Sequence, residues 1–203
     1  MKVFCIGFNK TGTTSLSQIF WNNNFSVAPQ EPFEYNLESY FYKNYSTYIN
    51  MIKDDYYSYT LFQDVPFSLP DFYKSLDKEF PNSKFILTIR DNEDEWYNSL
   101  IRFYKKIFLS FNQPTIISGY VYQGMVFKFL TKALNAPKTH PYDEISLKNS
   151  YLNHIEDVKT YFKDRKDDLL ILNLKDKDII FKLESFLNIK FNNKVIPHLN
   201  KSQ

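Results

Sequence analysis

Apolar residues recur along this chain in two rhythms. The apolar run at residues 3–6 and the apolar-rich segments at 84–89 and 169–174, with shorter ones at 25–27 and 59–63, have the length and composition of buried strands. Between them the apolar positions fall three and four apart, the spacing of one helical face. Leu16, Ile19 and Phe20 make one such set, and Trp96, Leu100, Phe103 and Ile107 a second. Tyr151, Ile155, Val158 and Phe162 follow, then Ile179, Leu183, Phe186 and Leu187. Strand and helix in alternation predict an α/β fold, a parallel central sheet flanked by helices on both faces. Ligands of such sheets bind beyond the carboxyl ends of the strands. Residues 29–58 and 111–150 follow neither rhythm and are rich in Tyr, Phe and Asn, so they read as insertions placed over that edge.

Composition narrows the class. The 203 residues fit one domain spanning 1–203 with a full core. At 43% hydrophobic and 24% charged the chain is globular, and a net charge of +2 gives no electrostatic case for nucleic acid. No apolar run nears the ~20 residues of a membrane span, and the first residues lack the pattern of a signal peptide. Cys5, the single cysteine, lies inside the first strand as a small buried group. A reducing, cytoplasmic setting is expected.

The first strand runs into Gly7-Phe8-Asn9-Lys10-Thr11-Gly12-Thr13-Thr14-Ser15, and two of the chain's four glycines stand in this stretch. The phosphate-binding loop of triphosphate enzymes, G-x-x-x-x-G-K-[ST], has this glycine spacing, with a lysine that reaches the β- and γ-phosphates. Here Thr13 takes the lysine's place, and the loop's one cation, Lys10, lies three positions upstream. A strand, a glycine turn and a helix N-terminus still make an anion site. The expected ligand is therefore a phosphate-like anion other than a triphosphate. The same stretch also reads as an ordinary capped strand-to-helix turn.

Arg90 closes the strongest strand, and Asp91, Glu93, Asp94 and Glu95 crowd the start of the next helix. Arginine at a strand end suits direct recognition of a phosphate. It equally suits a structural ion pair with those acids.

Taken together, the two elements resemble the sulfotransferases that use 3′-phosphoadenosine 5′-phosphosulfate (PAPS). Lys10-Thr11-Gly12-Thr13-Thr14 is similar to their 5′-phosphosulfate loop, K-x-G-T-T. Arg90 is similar to the arginine of their 3′-phosphate motif, which a serine follows eight positions on; here Asn98 holds that place and Ser99 the next. Phe62-Gln63-Asp64-Val65-Pro66 resembles the K-T-H-L-P segment of cytosolic members, with Asp64 at the catalytic histidine. The tail Pro197-His198-Leu199-Asn200-Lys201 resembles a Pro-His-x-Asn-Lys ending of bacterial-type members.

The resemblance implies a P-loop-like sulfotransferase architecture and transfer of a sulfuryl group from PAPS to a hydroxyl or amine. It implies that Lys10 faces the leaving phosphate oxygen and that Gly12, Thr13 and Thr14, with Thr11 and Ser15 beside them, hold the 5′-phosphate. Arg90 and Ser99 would hold the 3′-phosphate, with His198 and Lys201 as further contacts. Asp64 is the expected base, Glu31 in Gln30-Glu31-Pro32-Phe33 the alternative, and His198 a third candidate. No metal is expected, since His140, His154 and His198 are scattered. The acceptor is expected to be a small molecule or saccharide held by the aromatic-rich insertion, which carries ten rings from Phe33 to Tyr59. A small-molecule kinase and a non-catalytic nucleotide-binding protein remain the alternatives.

Overall fold

A computed structural model describes residues 1–111 and 124–197. Four strands, β1 (Val3–Cys5), β2 (Leu61–Phe62), β3 (Lys84–Ile89) and β4 (Leu169–Asn173), form one sheet in the order β2-β1-β3-β4. Every neighbouring pair is parallel, so all four carboxyl ends emerge at one edge. The fold is α/β, as the alternating pattern predicts.

Alternation along the strands sorts the core into two layers. On one face Val3, Cys5, Leu61, Ile86 and Leu172 pack against Leu16, Ile19 and Phe20 of α1 (Thr13–Trp21) and the buried side of a C-terminal helix, Ile179–Leu187. On the other, Phe4, Phe62, Phe85 and Leu87 pack against the remaining helices. Period-two alternation gives each strand one residue for each layer.

Residues 25–27, expected as a strand, contribute one bridge, between Val27 and Leu61. Phe25 is drawn instead into an edge-on cluster with Phe20 and Phe191. The segment expected at 59–63 forms a strand only at Leu61–Phe62, and the N–H groups of Thr60 and Leu61 both donate to the Ser26 carbonyl.

The first unassigned region, 29–58, folds as α2 (Glu31–Tyr35), α3 (Leu37–Phe41) and α4 (Ser46–Asp54). Next come α5 (Phe72–Glu79) and α6 (Glu93–Phe111). Beyond residue 123, α7 (Met125–Lys128) runs into a π-helical turn at Phe129–Ala133. The chain then enters α8 (Glu144–Tyr161), whose N-cap Asp143 accepts from the Ser146 N–H at 2.8 Å. The C-terminal helix is α9 (Ile179–Leu187). Among the described residues no helix is long and apolar enough to cross a membrane.

Candidate active site

Each strand end delivers one part of the site. After β1 comes the glycine loop, after β2 Asp64, after β3 Arg90 and after β4 Leu174, whose side chain closes on Gly12. The loop cannot sit elsewhere. A Cβ on Gly7 would lie 2.1 Å from Thr88 Oγ1 and 2.3 Å from the Thr88 carbonyl, so its backbone lies directly on β3. Gly12 has φ 103°, a conformation open to glycine at little cost, and a Cβ there would meet Leu174 at 2.1 Å.

Further bonds fasten the loop. The buried Thr11 hydroxyl donates to the Phe8 carbonyl at 2.5 Å and lies 2.6 Å from Thr88 Oγ1. Trp96 of α6 donates to the Asn9 carbonyl at 3.0 Å and stacks on Tyr151 of α8, with ring centroids 4.7 Å apart. His154, also of α8, lies with Nε2 2.7 Å from the Ile6 carbonyl and stacks on Phe8. Burial lowers the His154 pKa to about 4, so the ring is neutral at pH 7.

The loop opens on a cavity of about 240 Å³. That is below the ~300–1,000 Å³ of pockets that enclose a whole drug-sized ligand, so it suits reacting groups whose remainder lies outside. Lys10, Gly12, Thr13, Thr14, Ser15, Asp64 and Arg90 all line it. The N-terminus of α1 at Gly12 carries no side-chain cap, and its first residues, Thr13, Thr14 and Ser15, line the cavity.

Asp64 is held on both oxygens: Oδ2 accepts from the Thr13 hydroxyl at 3.1 Å and Oδ1 from the Val65 N–H at 2.9 Å. Burial nevertheless raises its pKa, with Thr13, Val65 and Lys10 pulling the other way. Lys10 is shifted down, first by burial and further by Arg90, while Asp64 opposes the shift. Its Nζ sits 3.8 Å from the centroid of the Phe103 ring. Arg90 donates through Nε to the Lys10 carbonyl at 2.7 Å and through Nη1 to Glu95 at 2.9 Å. The ion pair expected between Arg90 and the following acids is present, and Arg90 also lines the cavity. With five N–H donors, two bonds leave capacity for an anion.

Three of the expected residues stand apart. Thr11 fastens the loop and does not line the cavity. Ser99 is buried on α6 away from it, and Asn98 is exposed. Glu31 is exposed at the start of α2, accepting from the Tyr35 hydroxyl at 2.9 Å. His198 and Lys201 lie outside the described residues.

The aromatic insertion also differs from expectation: among the described residues none of its ten rings, Phe33 to Tyr59, lines the cavity. Tyr40 and Tyr48 are buried, with hydroxyls bonded to the carbonyls of Pro70 and Asn36, while Tyr35, Tyr42 and Tyr57 point outward. The ring-bearing wall is Phe103, Tyr104 and Phe129, joined by Val65, Met125 and Val126.

Sequence reasoning missed Gln30 and Glu34, which line the same cavity as Asp64 and that apolar wall. Glu34 is 9% exposed, accepts from the Gln30 amide and is raised to about 7, chiefly by burial and then by Asp64. The available signal was Pro32 in the first turn of α2, which marks a helix start. Glu31 and Glu34 are three apart and neighbour each other on the helix surface, yet Glu34 is buried and Glu31, at the first position, is exposed.

The family model described as "Sulfotransferase domain" matches residues 2–203, and the chain belongs to that family. No curated protein matches it. Membership supports a sulfotransfer activity, and therefore a transferase with a sulfate donor and an acceptor.

Proposed function

We propose that this member of the sulfotransferase family moves a sulfuryl group from PAPS to a hydroxyl group of a small molecule or saccharide, through a single domain over residues 1–203. The observation that carries the reading is the meeting of Lys10, Arg90 and Asp64 in one cavity at an uncapped helix N-terminus. Two cations and a helix N-terminus fit a phosphosulfate, and a carboxylate beside them fits a proton acceptor. Thr13 stands where a kinase needs its lysine, and its hydroxyl is committed to Asp64.

When bound, PAPS supplies the sulfuryl group and a stable bisphosphate leaving group. Every other contribution comes from the chain. The α1 N-terminus and Thr14 hold the 5′-phosphate, and Arg90 holds the 3′-phosphate with the donors that Lys10 and Glu95 leave unused. The Lys10 ammonium offsets negative charge as it grows on the leaving oxygen, an electrostatic role with no covalent step. Asp64 takes the acceptor proton. Its raised pKa improves its match to neutral pH, while Thr13 and Val65 fix the orientation of its carboxylate.

Incubation with sulfur-labelled PAPS and a mixture of phenols, aliphatic alcohols and sugars tests the proposal. The expected result is a labelled sulfate ester and release of adenosine 3′,5′-bisphosphate. Labelled phosphate transferred from ATP with magnesium, and no sulfate ester, overturns it.

A further inference from the structure

Carboxylates in this molecule commonly find a lysine. Glu38 pairs with Lys128, Glu79 with Lys53 and Asp94 with Lys148, all at the surface. Glu34 is the contrast. It is buried, it lines the cavity, and among the described residues its hydrogen bond comes from the neutral Gln30 amide and no cation pairs with it. The charges acting on it, Asp64 foremost and then Glu31, are of the same sign. Lys10 is close enough to act on Asp64, which leaves Glu34 as the uncompensated acid.

A buried carboxylate with no counter-charge is costly unless something neutralises it. Either a proton does so in the empty cavity, or a ligand cation does so in the filled one. The rest of the wall says what frame that cation sits on. Val65, Phe103, Tyr104, Met125, Val126 and Phe129 offer apolar and aromatic surface beside the two acids.

We propose that Glu34, oriented by Gln30, binds a protonated amine on the acceptor, and that the acceptor class is apolar-framed amino alcohols. The ammonium sits on Glu34 and the hydroxyl on Asp64, with the hydrocarbon or aromatic frame against Phe103 and Phe129. The amine is protonated and so is not the nucleophile; the hydroxyl, whose proton passes to Asp64, is the group that reacts. Glu34 is then a specificity-determining residue, not the base. The assignment rests on the sulfotransferase reading for what happens at Asp64, but not for the binding at Glu34.

Matched probes test it: tyramine against para-ethylphenol, and aminohexanol against hexanol, each titrated with and without adenosine 3′,5′-bisphosphate. The amine of each pair should bind about tenfold or more tightly than its neutral partner. In Glu34→Gln that preference should disappear, and KM for the amine should rise far more than kcat falls. The unliganded Tm of this isosteric variant at pH 8 should equal or exceed the parent's, which separates lost recognition from lost folding. Neutral partners binding as well as the amines, an amine preference that survives in Glu34→Gln, or no amine binding at millimolar concentration overturns the proposal. Loss of the bisphosphate response alone, with the amine preference intact, instead counts against the sulfotransferase reading and leaves Glu34's role standing.

Discussion

The two halves of the cavity are built by different means. On the side proposed for the phosphates the backbone does the work: Gly7 lies on Thr88, Gly12 takes a left-handed turn under Leu174, and Trp96 and His154 reach the carbonyl groups of Asn9 and Ile6. On the side proposed for the acceptor the wall is made of side chains from several elements: Gln30 and Glu34 at α2, Val65 after β2, Phe103 and Tyr104 of α6, Met125 and Val126 of α7, and Phe129. A backbone site fixes what every donor molecule shares, its anionic groups. A side-chain site sets what differs between acceptors, and it can change without disturbing the first. The division predicts that substitutions on the two sides fail differently.

The largest effect should come at the junction of the halves. Asp64→Asn keeps the side-chain shape and one of the two acceptor oxygens but cannot take a proton, so turnover should fall by roughly 10²–10⁴-fold. Bisphosphate affinity should hold. Equal loss of both, measured by initial rates and by titration, would merge the two halves into one.

Next in size is a backbone test. Gly7→Ala drives a methyl into the Thr88 backbone, which cannot move aside as a flexible side-chain tip could. A stability loss of about 3 kcal/mol is expected in denaturant melts, in line with overpacking at its upper end. A neutral result would show that the loop is not seated on β3.

How much of this was legible follows the same line. The glycine loop, Asp64 and Arg90 could be read because strand ends are marked by apolar runs, and a parallel sheet forces those ends to one edge. Glu34 was not read, because which of two acids on a five-residue helix faces inward depends on packing against distant elements. The same reason undoes the expected tyrosine-lined pocket. Tyr40 and Tyr48 bury their rings and satisfy their hydroxyls on the carbonyls of Pro70 and Asn36, contacts that no local pattern encodes. Thr11 was read as a ligand contact because the motif includes it, whereas its hydroxyl is already committed to Phe8 and Thr88.

A comparable free energy, opposite in sign on the two sides, is expected from pH. His154 stays neutral in the folded protein down to about pH 4, against 6.5 when unfolded. The unfolded chain therefore binds more protons across that window, and the His154 contribution to stability is lost as pH falls from 6.5 toward 4. Glu34 has the reverse linkage. Its folded pKa of about 7 exceeds the ordinary 4.5, so its contribution is present below 4.5 and lost as pH rises toward 7. Each amounts to something on the order of 3 kcal/mol, and together they largely cancel. Glu34→Gln should unmask the His154 loss, so the variant destabilises more steeply than the parent on acidification. Parallel stability–pH curves for parent and variant would contradict the burial assigned to Glu34.

The smallest expected effect divides the phosphate side itself. Arg90→Ala should weaken bisphosphate binding by about 1.5–3 kcal/mol, the range for hydrogen bonds to charged groups, with kcat less affected. Lys10→Ala should lower kcat more than affinity if, as proposed, its charge acts on the leaving oxygen. The opposite pattern would exchange their roles.

The central claim is that the loop, Arg90 and the uncapped α1 form a site for a bisphosphorylated nucleotide without need of a bridging metal. Thermal melts with adenosine 3′,5′-bisphosphate and with ATP plus magnesium, each repeated in EDTA, test it most directly. At 100 times its dissociation constant the bisphosphate should add about 2.7 kcal/mol of stability, unchanged by EDTA. Stabilisation by ATP with magnesium alone, abolished by the chelator, would contradict the account.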